Sequence, residues 1–188
     1  MTSVPCVQKT MTQLLCMDLF RIERLEDVAR LYNNARGCDN CGFEGYLVMN
    51  IARRACEIGY ECFPERPLNR QDRVDLMLRR KSERIALEVK MYDSICKKDY
   101  RRDFAKLRKF VQEYDNAVGV HLHLSLYKNL DRQAISIRKV ANADIKNCFT
   151  YRGNGLTCFP QAYKRKELNK GWCAIFVKRE EESGNVSV

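Results

Sequence analysis

Two acidic residues and a lysine recur in this sequence at a spacing that suits phosphoryl chemistry. Asp75 lies in the run Arg73-Val74-Asp75-Leu76-Met77-Leu78. Twelve residues separate it from Glu88, which with Lys90 belongs to Ile85-Ala86-Leu87-Glu88-Val89-Lys90. Both runs have strand character. Side chains alternate along a strand, so Ala86, Glu88 and Lys90 share one face while Ile85, Leu87, Val89 and Met91 take the other. If the two strands pair antiparallel through a turn near Lys81 to Glu83, Asp75 comes alongside Glu88. Two carboxylates about 4 Å apart repel by roughly 4 kcal/mol at an effective dielectric of 20, so such a pair asks for a cation. Oxygen ligands of this kind suit Mg²⁺, or Mn²⁺ in its place. The ion would polarise a phosphoryl oxygen and lower the pKa of a bound water, and Lys90 would orient that water or stabilise developing negative charge. Phosphodiester hydrolysis uses all three groups.

The elements that must position these residues follow from periodicity. Thr10 to Arg36 has apolar residues at three- and four-residue steps and reads as one long helix or two short ones. Residues 37–42 form a turn, and a second helix should run from Phe43 to Ile58, ending before Gly59. Three strands are expected at Tyr60 to Arg66, Arg73 to Arg79 and Ile85 to Tyr92, the first bounded by Pro64 and Pro67. Asp99 to Asp115 reads as an amphipathic helix with Tyr100, Phe104, Leu107, Val111 and Tyr114 on its apolar face. Val118 to Tyr127 alternates as a fourth strand, with Val118, Val120, Leu122, Leu124 and Leu126 to one side. A helix or loop to about Asp144, an irregular segment holding Gly153 and Gly155, and a last strand near Trp172 to Val177 complete the reading. The chain divides into an N-terminal helical extension packed on the core (1–36), one main domain (37–178) and a polar tail (179–188).

The two strand runs and their context resemble the PD-(D/E)XK signature of restriction-endonuclease-like proteins. The resemblance covers about Phe43 to Tyr127. It implies an α/β fold with an αβββαβ core, a mixed central sheet and flanking helices. It also implies that Asp75 and Glu88 bind metal together with the carbonyl of Val89, and that Lys90 is the catalytic lysine. Val74 stands where the proline of the motif is usually written. Many members add a glutamate from the helix before the first strand, and Glu44 matches that position. Glu44 is in line with Leu47, Val48 and Ile51, so it should point inward. Otherwise it merely favours the positive end of the helix dipole, an effect of about 0.3–1 kcal/mol. Asp103, Lys106 and Leu107 look like the D-x-x-K-L pattern often seen after the third strand in such nucleases.

Charge points the same way. The 188-residue chain carries a formal +10. Between Arg79 and Lys109 twelve Lys or Arg stand against five Asp or Glu, a concentration that suits a polyanion. Lys97, Lys98, Arg102, Lys106 and Lys109 are the candidate contacts to nucleic acid, with a solvated basic face as the bland alternative. Arg102 and Lys106 share a helix face and could reach a phosphate. His121 and His123 share one strand face near the site; exposed or paired strand residues are the commoner case.

Ten cysteines in a chain with no secretory pattern at Met1 to Lys9 are expected as thiols in the cytoplasm. Cys38-x-x-Cys41 is half of a zinc site with Cys56 and Cys62 following, but no second close pair accompanies it, so neither zinc nor an iron–sulfur cluster is expected. No apolar run is long enough to span a membrane. A glycine-rich phosphate loop and a G-x-S-x-G element are both lacking, which leaves nucleoside-triphosphate hydrolysis and acyl transfer without support. The expectation is a Mg²⁺- or Mn²⁺-dependent nuclease, with DNA favoured over RNA as substrate. A homodimer would suit cutting both strands of a duplex. An RNA endonuclease, and a nucleic-acid-binding protein that keeps the fold without cutting, are the alternatives.

Overall fold

A two-residue turn sets the register on which the candidate site depends. The computed structural model describes residues 3–15, 41–69, 71–91, 97–125, 130–142, 147–152 and 171–179. Within it, strands β2 (Arg73–Arg80) and β3 (Glu83–Met91) pair antiparallel from Arg80↔Glu83 to Leu76↔Leu87. Lys81 opens the turn with φ 55°, a left-handed conformation that matches the twist of the flanking strands. A hairpin loop of this length leaves one register, and it stands Asp75 opposite Glu88 one step beyond the last ladder pair.

Strand β1 (Glu61–Pro67) pairs antiparallel with β2 at the sheet edge. Pro64 and Pro67, expected to bound this strand, lie within it, as an edge strand tolerates. On the other side β3 runs parallel to β4 (Ala117–Ser125), then β6 (Gly171–Val177) and β5 (Cys148–Arg152) continue antiparallel. The result is an α/β fold with a mixed six-stranded sheet, order β1-β2-β3-β4-β6-β5, and four helices among the described residues.

The helices α1 (Val4–Leu15), α2 (Cys41–Glu57), α3 (Lys97–Glu113) and α4 (Leu130–Ala141) cover both faces of that sheet. Val7, Met11 and Leu14 of α1 and Leu47, Ile51 and Ala55 of α2 pack with Leu76, Leu78, Ile85, Leu87, Val89, Val120 and Leu122. On the opposite face Tyr100, Phe104, Leu107 and Phe110 of α3 and Ile137 of α4 pack with Met77, Ala86 and Ile175. Gly119 lets α3 approach β4 closely, for a Cβ there would lie 2.9 Å from Leu107 Cβ. Helix α2 ends on Gly59 at φ 86°, where the Gly59 and Tyr60 N–H groups bond the Cys56 and Ala55 carbonyls at 3.0 and 2.9 Å.

Several expected boundaries move. The first helix begins at Val4, because Ser3 accepts the Cys6 and Val7 N–H groups and Pro5 is harmless in a first turn. The remainder of the helix expected to Arg36 lies outside the described residues. So do Cys38, Gly153, Gly155 and the tail from residue 180. Where an irregular segment was expected, the short strand β5 closes the sheet edge. Among the described residues no helix is long and apolar enough to cross a membrane.

Candidate active site

At the carboxyl ends of the parallel strands β3 and β4 the sheet opens beside the first turn of α2 and the first half of α3. The β2–β3 ladder stops at Leu76↔Leu87, and beyond it the Asp75 carboxylate itself accepts the Val89 N–H at 2.7 Å. A side chain thus takes a strand bond that main chain would otherwise take, and β2 leads away from β3 here. Glu88 lies on the face covered by α3, against Lys106, and is completely buried. Lys90, on the same face, donates from Nζ to Glu44 Oε2 at 3.2 Å, so Glu44 reaches the site from α2 as its inward spacing predicts.

Helix α3 contributes a fourth acid and a second ammonium group. Lys106 Nζ lies 2.6 Å from Glu88 Oε1, 3.2 Å from Asp103 Oδ1 and 3.2 Å from the Arg73 carbonyl. This ammonium is the charge partner of Glu88, whose two buried oxygens meet no backbone or neutral side-chain donor among the described residues. Asp103 Oδ2 faces His121 Nε2 at 3.6 Å, beyond hydrogen-bonding distance. The His121 ring lies between Tyr100 and Phe104, with centroids 4.9 and 4.8 Å away.

Four carboxylates, from Glu44, Asp75, Glu88 and Asp103, therefore meet two ammonium groups, an excess of two negative charges when all are ionised. The electrostatics reflect it. Burial, then the neighbouring Asp75 and Asp103 charges, push the Glu88 carboxyl well above its usual range. Burial also raises Asp75, partly offset by the Val89 N–H. Burial alone would lower Lys90, but Asp103, Glu44 and Asp75 together raise it. Lys106 is raised likewise, chiefly by Glu88. Asp103 is lowered, because His121, Lys106 and Lys90 outweigh its burial.

The two histidines are not exposed, as strand alternation had left open; both are completely buried. Strand β4 is central and covered on both faces, so its second face carries no solvent. His123 accepts from the Tyr100 hydroxyl at Nδ1 (2.6 Å) and donates from Nε2 to Gln133 Oε1 at 3.2 Å. Burial holds its pKa down at about 4, which fits this neutral tautomer. His123 is thus a packing residue, whereas His121 borders the site.

Of the candidate nucleic-acid contacts, Lys98, Arg102 and Lys109 are exposed on α3. Arg102 also lies 3.6 Å from Asp72. Lys97 begins α3, but its side chain lies outside the described residues. Lys106 differs from Arg102 despite their shared spacing: its side chain is 13% exposed against 68%, and its ammonium is turned into the acidic cluster. Asp103, named through the D-x-x-K-L resemblance, and His121, set near the site by strand alternation, join it without having been counted among its residues. The signal for Asp103 was its place beside Phe104 and Leu107 on the inward arc of α3.

As they stand, no three His, Cys, Asp or Glu side chains among the described residues converge tightly enough to form a metal-binding group, since the Lys106 ammonium lies between Glu88 and Asp103. The donor set nevertheless fits a hard divalent cation: Glu88 oxygens buried without a neutral donor, in a cluster two negative charges in excess. Helix α2 does not let Cys41 share one zinc ion with Cys56 and Cys62. Cys41 and Cys56 occupy opposite ends of α2, about 22 Å apart at 1.5 Å per residue. Cys56 instead places its sulfur 3.3 Å from that of Cys62. Comparison with family models, with curated proteins and with solved structures returns no match for this chain.

Proposed function

We propose that this protein is a divalent-metal-dependent nuclease of the PD-(D/E)XK type, most simply a DNA endonuclease. The observation that carries the reading is Glu88, a fully buried carboxylate set among other acids, whose close partner among the described residues is the Lys106 ammonium and which meets no neutral donor. A carboxylate so placed destabilises the metal-free fold and gains its function from a cation. The element order α2-β1-β2-β3-α3-β4 supports an αβββαβ core, and the hairpin register supports the pairing of Asp75 with Glu88.

Asp75, Glu88 and Glu44 would hold Mg²⁺ or Mn²⁺, with the Val89 carbonyl as a further ligand. The N–H and C=O of one strand residue point to the same side, and the Val89 N–H already points to Asp75. When bound, the ion supplies Lewis-acid polarisation of the phosphodiester. Lys90, fixed by Glu44 and held charged by three carboxylates, offsets negative charge that develops on the phosphorus oxygens. The exposed Lys98, Arg102 and Lys109 position the backbone of the nucleic acid.

Incubation with single- and double-stranded DNA and RNA in Mg²⁺, Mn²⁺ or EDTA tests the reading. Metal-dependent cleavage of DNA that vanishes in EDTA and in Lys90→Ala is the expected result. Full-rate cleavage in EDTA, or in Lys90→Ala, would overturn it. Salt-sensitive binding without cleavage would assign the chain to nucleic-acid binding alone.

A further inference from the structure

Lys106 occupies the part of the acidic hollow that a cation bound by Glu88 has to use. Its ammonium lies 2.6 and 3.2 Å from carboxylate oxygens of Glu88 and Asp103 and donates to the Arg73 carbonyl at 3.2 Å. Glu88 lies opposite Asp75 in the hairpin register, and the Asp75 charge is among the causes that raise it, so both acids serve one hollow. The same Glu88 oxygen cannot be fully given to an ammonium and to a hard divalent ion. Yet the lysine is attached to the helix by four flexible methylenes. One turn earlier on the same helix face, the side chain of Arg102 extends to solvent.

We infer that Lys106 is an exchangeable counter-cation of this centre, seated between Glu88 and Asp103 while no metal is bound and displaced outward when a divalent ion enters. This rests on the metal-dependent reading of the site. The exchange conserves the logic of the charges. Without metal the ammonium screens Glu88 from Asp103; with metal the ion takes over that screening. The released ammonium then faces the side from which a phosphodiester, with its single negative charge, must approach. Asp103, whose other oxygen faces His121 at 3.6 Å, stays as the anchor to which the lysine returns. Lys90 has no such latitude, being bonded to Glu44 at the far side of the hollow.

Mn²⁺ binding to the whole protein, followed by electron paramagnetic resonance without substrate, separates this from a fixed structural ion pair. In Lys106→Met the competing charge is gone while the methylene volume is largely kept, so Mn²⁺ should bind at least about tenfold more tightly than to the unaltered chain. Equal or weaker binding overturns the inference. A second measurement uses the unaltered protein and does not depend on the variant folding. Lysine acetylation by a water-soluble active ester, read by mass spectrometry, should modify Lys106 slowly in EDTA and several-fold faster in Mg²⁺, with Lys109 as the exposed reference. A Lys106 rate indifferent to Mg²⁺ likewise overturns it. If the unaltered protein binds Mn²⁺ and cleaves but these two measurements stay flat, only the exchange is lost. If it binds no Mn²⁺ at all, the metal-dependent reading falls with it.

Discussion

Strand β3 carries two buried glutamates five residues apart, and their surroundings differ in every respect that matters. Glu83, near the turn, accepts from the Tyr60 hydroxyl at 2.6 Å and from Arg80 at 3.3 Å through Oε2, while Oε1 faces the Cys6 thiol at 3.9 Å. Tyr60 is bonded in turn to Thr10 of α1, and the Arg80 guanidinium lies 4.2 Å above the Tyr60 ring. Burial and then Glu83 push the Tyr60 hydroxyl up to about 12, so it stays a donor. Glu88, at the other end, has acids for neighbours and the Lys106 ammonium, 2.6 Å away, in place of any neutral donor. A carboxylate buried for structure is furnished with neutral donors as well as a cation; one held among other acids by a flexible lysine is suited to a second cation.

The largest expected effect breaks that contrast from the Glu88 side. Glu88→Gln keeps the shape and leaves an amide oxygen toward Lys106, but it removes the proposed metal ligand. Outer-shell partners of metals already cost 10–100-fold, so cleavage should fall by more than about a hundredfold. The melting temperature of the metal-free protein should hold or rise, because a buried charge has gone. A clear fall in melting temperature without metal would make Glu88 a structural residue like Glu83.

Next in size is the converse. Glu83→Ala leaves the Tyr60 hydroxyl with Thr10 alone and takes away the partner that ties Tyr60 and Arg80 to β3. Urea unfolding should show a loss of about 2–3 kcal/mol, while cleavage by the folded protein stays unchanged. Since Arg80 is two-fifths exposed, its share of that loss is small and Tyr60 dominates.

Acidity separates the two ends more finely. Glu88 has a folded pKa raised above its ordinary 4.5, so the folded state holds that proton more tightly than the unfolded chain. Its contribution to stability is complete below 4.5 and is lost as pH rises through the folded value. Asp75 acts in the same direction, and Asp103, being lowered, in the opposite one. The metal-free melting temperature should therefore decline with rising pH above 4.5, and both Glu88→Gln and added Mg²⁺ should flatten the decline. A profile identical in Glu88→Gln would place the titration elsewhere.

The contrast also explains what could be read from the chain beforehand. Alternation along β3 separates Leu87 and Val89 from Glu88 and Lys90 as expected, because a period of two survives any tertiary context. The turn at Lys81 and Ser82 carries the register of Asp75 locally, in so few residues that the sequence suffices. Lys106 and the histidines were harder. Charged and polar side chains are expected outward, and only the long-range packing of α3 over both β3 and β4 turns them in. Strand β5 was missed for a related reason: five residues at an edge owe their conformation to pairing with β6, not to their own propensity.

The smallest effect tests where the nucleic acid lies. Glu83 sits on the face covered by α1 and α2, whereas Glu88 opens beneath α3, so phosphate contacts should come from the exposed face of α3. Lys109→Ala should weaken binding of a labelled oligonucleotide uniformly and reduce the slope of log K against log salt by about 1. Arg102→Ala should do less, because Arg102 already lies 3.6 Å from Asp72 and must leave that carboxylate to meet a phosphate. Anisotropy titrations in EDTA, where nothing is cut, measure both. If the slope is indifferent to Lys109 and Arg102 yet responds to a basic residue of the β1 edge such as Arg66, the substrate enters over the edge strand, and α3 serves the site only through Asp103 and Lys106.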